Sequence, residues 1–265
     1  MRRTGVALLV LLSVTLTCCA ANESAEPGRQ LHAEVLEELP HDPTAFTQGL
    51  ELVGDTLYEG TGRLGQSAIR AIDPRTGAER AREDLPAEFF GEGITVVGTT
   101  IWQLTWQNEV ALRRDLDTLA ELDRVGYQGE GWGLCYQRGD QGAQDRLVMS
   151  DGSDTLTFRD PRTFQRIGEI TVRGGTVGQL NELECVGEAV YANVFQTDRI
   201  LRIDPASGQV TATIDLSGLR EAFSSAELAE MDVLNGIAAI PDTDQFLVTG
   251  KLWPKMFRVR FVPAQ

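Results

Sequence analysis

The chain has 265 residues, 42% hydrophobic and 24% charged, with 27 glycines, an ordinary globular composition sufficient for one large domain or two small ones. Its formal net charge of −15 repels phosphate backbones and anionic bilayers, which argues against nucleic-acid partners and electrostatic membrane binding. Only two histidines are present, His32 and His41, which excludes a His-rich metal centre and disfavours a Ser-His-Asp mechanism.

The first segment in chain order is a targeting segment. Arg2 and Arg3 precede an apolar stretch from Gly5 to Leu16, and small residues follow. That pattern predicts an export signal over residues 1–21, too short for a membrane span. Cys18 or Cys19 is the candidate lipoprotein acceptor: Leu16-Thr17 lie at suitable offsets before Cys19, although Cys18 in the position just before it is an imperfect fit. Plain cleavage near Ala20 or Ala21 is the other reading. Either way the mature protein is expected to be exported, periplasmic or at the cell surface, with a lipid anchor as its one membrane contact. Residues 22–30 read as a polar linker, and residues 31–262 as one folded domain, expected to be monomeric. Cys135 and Cys185 remain after processing; an oxidising compartment permits a disulfide between them, and two separate buried thiols are an equal alternative.

The folded part is repetitive. Asp73, Asp115, Asp160 and Asp204 open similar turns, spaced 42, 45 and 44 residues apart, three of them Asp-Pro. Asp accepts backbone hydrogen bonds and Pro fixes φ, so each predicts a tight turn between two short strands. A second marker runs in step: Gln48, Glu92, Trp132, Asn181 and Asn235, each heading an apolar, strand-like segment. Five copies of about forty residues, each with room for four strands, predict an all-β, five-bladed β-propeller. Residues 31–39 precede the first copy without a partner, and the last copy is one strand short. The N-terminal strand is therefore expected to complete the last blade and hide its edge. Leu219, Phe223, Leu228 and Met231 predict a short amphipathic helix inserted before the fifth blade. Chance repetition within a β-sandwich is the competing reading.

In that architecture two sets of residues meet at one mouth. The strand heads supply Gln48, Glu92, Trp132, Asn181 and Asn235; the loops between second and third strands supply Gly62, Trp106, Gly152, Phe195 and Lys251. Each has a plainer reading: amides that hydrate a channel, aromatics that pack a core, Lys251 as a mere countercharge. Glu92 is harder to dismiss, because a carboxylate flanked by glycines at such a place needs partners or a shifted pKa. Polar groups converging on aromatic rings suit a small-molecule pocket.

The stretches "HDPTAFTQGLEL", "FGEGIT", "GEGWGLCY", "LNELE", "YANVFQTDRILRIDP" and "VLNGIA…FLVTGKLWPKMFRV" resemble the glutamine cyclotransferase family, the plant and bacterial glutaminyl-peptide cyclotransferases, from about residue 31 to 262. The resemblance implies a five-bladed propeller that converts N-terminal glutamine of peptides or proteins to pyroglutamate and releases ammonia. It implies Glu92 as the acid/base carboxylate and Lys251 as a second catalytic group. It further implies Gln48 and Asn181 as polar pocket residues and Phe46, Trp106 and Trp132 as the aromatic wall. Phe195 stands where the family often has a third tryptophan, so an indole N–H is lost there. No cofactor is required for the chemistry; some members hold a metal ion in the central channel, taken as structural calcium, for which no ligands can be assigned. Two other readings stand: an exported propeller that binds without catalysis, and a metal-dependent lactonase-like hydrolase, for which one carboxylate at the mouth is too few.

Overall fold

The computed structural model describes residues 28–139, 144–175 and 177–264, so the expected export signal and most of the linker lie outside the described residues. After β1 (Arg29–Pro40), strands follow in five runs. The first holds β2 (Thr47–Val53), β3 (Thr56–Thr61), β4 (Ala68–Ile72) and β5 (Glu79–Asp84). The second holds β6 (Gly91–Val97), β7 (Thr100–Thr105), β8 (Val110–Asp115) and β9 (Glu121–Gly126). The third holds β10 (Leu134–Gln137), β11 (Arg146–Met149), β12 (Thr155–Arg159) and β13 (Arg166–Thr171). The fourth holds β14 (Leu180–Val186), β15 (Ala189–Val194), β16 (Arg199–Asp204) and β17 (Gln209–Asp215). A 3-10 turn (Ser217–Ala222) and helix α1 (Ser225–Glu230) precede β18 (Leu234–Ala239), β19 (Gln245–Gly250) and β20 (Lys255–Pro263).

The all-β expectation holds, but the five-bladed propeller does not. The strands form four sheets rather than five: three of four strands, and one of eight in the order β14-β15-β16-β17-β1-β20-β19-β18. The cause is β1. It was expected to close only the last blade, yet its 12 residues are long enough to pair on both edges. It runs antiparallel to β20 from Leu31↔Pro263 to Pro40↔Lys255, and its start runs parallel to β17 from Arg29↔Ala212 to His32↔Asp215. The strand therefore covers two edges at once and fuses the fourth and fifth runs into one sheet.

The predicted turns are local and are found. Asp73, Asp115, Asp160 and Asp204 each accept backbone N–H bonds on Oδ1, for example from Arg75 and Thr76 in the first and Arg162 and Thr163 in the third. In all four, the residue four places on donates its N–H to the Asp carbonyl and takes a positive φ: Gly77, Leu119, Phe164 and Gly208. Phe164 carries a φ of 60° that glycine would adopt more easily, and its ring is buried 4.9 Å from Trp102, which offsets that strain. The expected single helix is instead two pieces. Ser224 and Glu227 form a capping box that starts α1 afresh, so Leu219 and Phe223 are buried while Leu228 is exposed.

The first strands β2, β6, β10, β14 and β18 adjoin one another in cyclic order, and apolar side chains fill the spaces between neighbouring sheets. Val148, Leu183 and Leu201 pack between the third and fourth runs, and Tyr58, Ile69, Ile94 and Ile101 between the first and second. A disulfide joins Cys135 of β10 to Cys185 of β14, with a Cα–Cα distance of 5.4 Å. At the centre Glu182 of β14 reaches two other strands, accepting the N–H of Leu50 at 3.3 Å and of Ile237 at 2.8 Å. Burial, with Glu184 and Glu51 adding like charge, pushes the Glu182 carboxyl well above the usual range.

The folded state therefore keeps a proton on Glu182 that the unfolded chain loses near pH 4.3. This contribution to stability is fully present at lower pH and declines as pH rises above that point. Thermal unfolding of wild type and Glu182→Gln from pH 4 to 9 tests this. The variant is expected to lose that slope and gain ground on wild type as pH rises; parallel curves would contradict it.

Candidate functional site

The polar candidates sit where strands begin irregularly. Pairing slips at the head of four first strands, between Thr47 and Gly49, Gly91 and Ile94, Leu180 and Leu183, and Leu234 and Ile237. Gln48, Glu92, Asn181 and Asn235 are the residues caught in those slips. A bulge re-aims its side chain and ends pairing, so a polar residue can turn toward the common mouth without breaking the apolar strand behind it. Trp132 lies just before β10, where Gly93 donates its N–H to the Trp132 carbonyl at 2.7 Å. Gly93 permits this approach: a Cβ there would stand 2.6 Å from the Trp132 oxygen.

Glu92 is 4% exposed, and Gln48 Nε2 donates to its Oε1 at 3.0 Å. Asn235 donates from Nδ2 to the Thr47 carbonyl at 3.0 Å and to Gln48 Oε1 at 3.4 Å, which fixes the Gln48 amide in the orientation that serves Glu92. Burial pushes the Glu92 carboxyl well above its ordinary pKa; Lys251 opposes the rise and Glu130 adds to it. The sequence left open which effect wins, and desolvation does. Burial conversely lowers the Lys251 pKa, against the pull of Glu92 and Asp232. Lys251 Nζ makes no ion pair within 4 Å among the described residues and lies over two rings, 4.7 Å from Phe46 and 5.4 Å from Phe195. The Oδ1 atoms of Asn181 and Asn235 are buried without a hydrogen-bond partner among the described residues. Native interiors seldom leave such acceptors empty.

The aromatic candidates enclose these groups. Phe46 meets Phe90 edge-on at 6.2 Å, Phe90 meets Trp106 at 5.6 Å, and Trp132 meets Phe195 at 5.3 Å. Gly152, at φ +79°, lies beneath the Trp132 indole, where a Cβ would come within 2.6 Å of the ring. Gly62 likewise leaves room for Phe90. Glu92, Lys251, Phe46, Gln48, Trp132 and Phe195 thus each touch another expected site residue by hydrogen bond, ring contact or cation–π contact; Trp106 joins them only through Phe90 and Glu130, and Asn181 stands at the head of β14. A separate groove of about 1110 Å³, lined by Gln137, Arg146, Phe158 and Arg202, contains none of these side chains. The chemistry belongs with the buried charges, not with that groove.

Two residues escaped the sequence reading, Phe90 and Glu130. Both lie inside quoted motifs, and the tripeptide Gly-Glu-Gly occurs twice, at 91–93 and 129–131, which was the available signal for Glu130. The buried His41 escaped too. Its Nδ1 faces the Trp253 carbonyl at 2.7 Å and its Nε2 faces Glu59 at 3.1 Å; two acceptors require two donors, so the ring is an imidazolium. Burial opposes that charge, but Glu59 outweighs it and raises the His41 pKa. Glu59 also accepts from Thr47 and Arg70 and is held down at about 2 despite its own burial. With the Leu252 N–H bonded to the Ala45 carbonyl at 2.7 Å, this network ties the loop bearing Lys251 to the one bearing Phe46.

The resemblance brought with it a calcium ion in the channel. Glu51, Glu182 and Glu184 bear on one another's charge at the centre, but their oxygens accept N–H bonds from Val96, Leu50, Ile237 and Ala239. Calcium takes six to eight oxygens. Among the described residues, no group of three or more His, Cys, Asp or Glu side chains is arranged to hold a metal.

A family model described as glutamine cyclotransferase matches residues 9–261. The chain belongs to the glutamine cyclotransferase family. It is 40% identical over 235 residues to the glutaminyl-peptide cyclotransferase of Arabidopsis thaliana, covering 87% of this chain and 72% of that one. It also superposes on the crystal structure of Myxococcus xanthus glutaminyl cyclase with a TM-score of 0.80 at 35% identity, over 90% of this chain and 100% of that one.

The His41 network gives a stability test. His41→Ala leaves Glu59 and Arg70 buried without their third partner, an expected loss of roughly 3–5 kcal/mol in urea unfolding at pH 6. The raised His41 pKa makes its contribution full below about pH 6.5 and lost as pH climbs through the higher folded-state value. The deficit of the variant should therefore shrink at alkaline pH, and a deficit independent of pH would show that the ring is not charged.

Proposed function

We propose that this protein is a glutaminyl-peptide cyclotransferase, converting N-terminal glutamine of peptides or proteins to pyroglutamate with release of ammonia. One observation carries the reading at the level of chemistry. A buried, hydrogen-bonded Glu92 with a raised pKa stands beside a desolvated Lys251, inside an aromatic enclosure. Family membership and the 40% identity to an enzyme of that name support it.

The substrate supplies its own nucleophile. Its neutral α-amine, with a reference pKa near 8, attacks the side-chain amide carbon; the N–C bond forms, the C–NH2 bond breaks, and ammonia leaves. Closure is intramolecular, so a hollow that folds the side chain back removes much of the entropic barrier. Lys251 donates to the developing oxyanion, its Nζ positioned by the faces of Phe46 and Phe195. The unpartnered Asn181 Oδ1 accepts from a substrate N–H, and Gln48 orients Glu92. Glu92, kept protonated by burial, gives its proton to the departing amide nitrogen and takes one from the attacking amine. The same proposal includes export through residues 1–21 and anchoring at Cys19, supported by the sequence of that segment.

Ammonia release from a Gln-initiated peptide, with Asn- and Glu-initiated peptides as controls, is the test. Glu92→Gln should lower kcat by roughly 10²- to 10⁴-fold with folding intact. Lys251→Ala should lower kcat by roughly 10²-fold or more, as expected for an oxyanion donor. A Lys251 variant that loses only thermal stability would mark that residue as a countercharge. Near-normal turnover by Glu92→Gln would remove it from the proton transfer.

A further inference from the structure

The contacts at the mouth close into a ring. Lys251 lies against Phe46 and Phe195, Phe46 meets Phe90, Phe90 meets Trp106, and Phe195 meets Trp132. The remaining gap, between Trp106 and Trp132, is bridged by Glu130. Its Oε2 accepts both indole N–H groups, at 2.8 Å from Trp106 Nε1 and 2.9 Å from Trp132 Nε1, and its Oε1 accepts from Gln107 Nε2 at 2.9 Å. Nothing in the chemistry above uses this carboxylate. We propose that Glu130 is a positioning residue: it fixes the two indoles as a single wall for the substrate glutamine and presents a permanent negative charge to Glu92. The proposal rests on the cyclotransferase reading of the site.

Three features support it. An ionised carboxylate is acceptor-only, so it satisfies three donors at once; a glutamine amide would turn its own NH2 toward one of them. Second, the backbone around Glu130 is pinned. Gly129 donates to Glu109 Oε1 at 2.9 Å and Gly131 to the Trp106 carbonyl at 3.0 Å, so the carboxylate has a fixed origin. Third, Trp106 is 36% exposed and its ring otherwise meets only the Phe90 edge among the described aromatic contacts. A rim indole without its N–H anchor must be ordered by the substrate, at a cost in binding. The three donors hold the Glu130 carboxyl below its usual pKa although burial pulls the other way, and its charge is one of the two that act on Glu92.

The two roles separate in Glu130→Ala and Glu130→Asp, assayed in the full-length protein. Glu130→Ala removes the acceptor shared by both indoles and is expected to raise KM for a Gln-initiated peptide roughly tenfold or more, with a smaller change in kcat, because the wall is no longer pre-formed. Removing the negative charge should also move the alkaline limb of the kcat profile, where Glu92 loses its proton, to lower pH. Near-UV circular dichroism should lose indole fine structure while the thermal midpoint stays within a few degrees. Glu130→Asp keeps the charge on a shorter stem, so it should restore the pH limb while leaving KM raised. Wild-type KM together with an unshifted limb in Glu130→Ala would overturn the proposal. So would activity loss that merely follows a fall in thermal midpoint, which would make Glu130 structural only. Absence of ammonia release from the wild-type protein would instead count against the cyclotransferase reading; the circular dichroism of the same variants tests the indole clamp regardless.

Discussion

A carboxylate taken out of water with one amide donor and, among the described residues, no ion pair is the constraint around which this mouth is organised. Glu92 is 4% exposed and receives Gln48 Nε2 at 3.0 Å, while its nearest cation of consequence, Lys251, rests on aromatic faces. A buried carboxylate in that setting holds its proton rather than its charge. The surrounding structure keeps the balance there: Asn235 orients Gln48, the rings exclude water, and Glu130 adds a negative charge at the rim. Were Lys251 brought into contact with Glu92, the pair would ionise and the acid would be lost.

The sheets make this burial possible because the polar residues occupy faults in the pairing rather than regular strand positions. At Gln48, Glu92, Asn181 and Asn235 the register slips by a residue, so the apolar alternation resumes beyond the fault undisturbed. The loops that return to the same side are tied from behind. His41 and Glu59 join the loops of Phe46 and Lys251 through buried charged hydrogen bonds, and the fusion of two runs by β1 holds β18 and β14 at the ends of one continuous sheet. Precision at the mouth thus derives from long-range pairing far from it.

What was legible in the sequence follows from the range of each interaction. The Asp turns were readable because an Asp side chain satisfies its own backbone two or three residues on, which leaves the same signature at Asp73, Asp115, Asp160 and Asp204. The strand-head residues were readable as polar interruptions in apolar segments. The parallel pairing of β1 with β17 was not, since residues 29–32 meet 212–215 and leave no local trace; that single contact undid the expectation of five separate sheets. Ser224 and Glu227 did carry a visible capping box, which the apolar spacing across it concealed. Glu130 and Phe90 carry no repeat signature of their own, because they flank the marker positions Trp132 and Glu92 rather than occupy them, and the mouth draws such neighbours from the same motifs.

The protonation of Glu92 in the resting protein is the central claim, and it can be observed without any turnover. Carboxyl carbon NMR of the protein labelled at glutamate Cδ, titrated beside the Glu92→Gln variant to assign the resonance, reads it directly. The expected result is a Glu92 carboxyl that titrates well above the usual carboxylate range and is therefore still protonated as the surface glutamates ionise. A Glu92 resonance that titrates near pH 4.3, as an exposed glutamate does, would contradict the burial-controlled acid at the centre of this site.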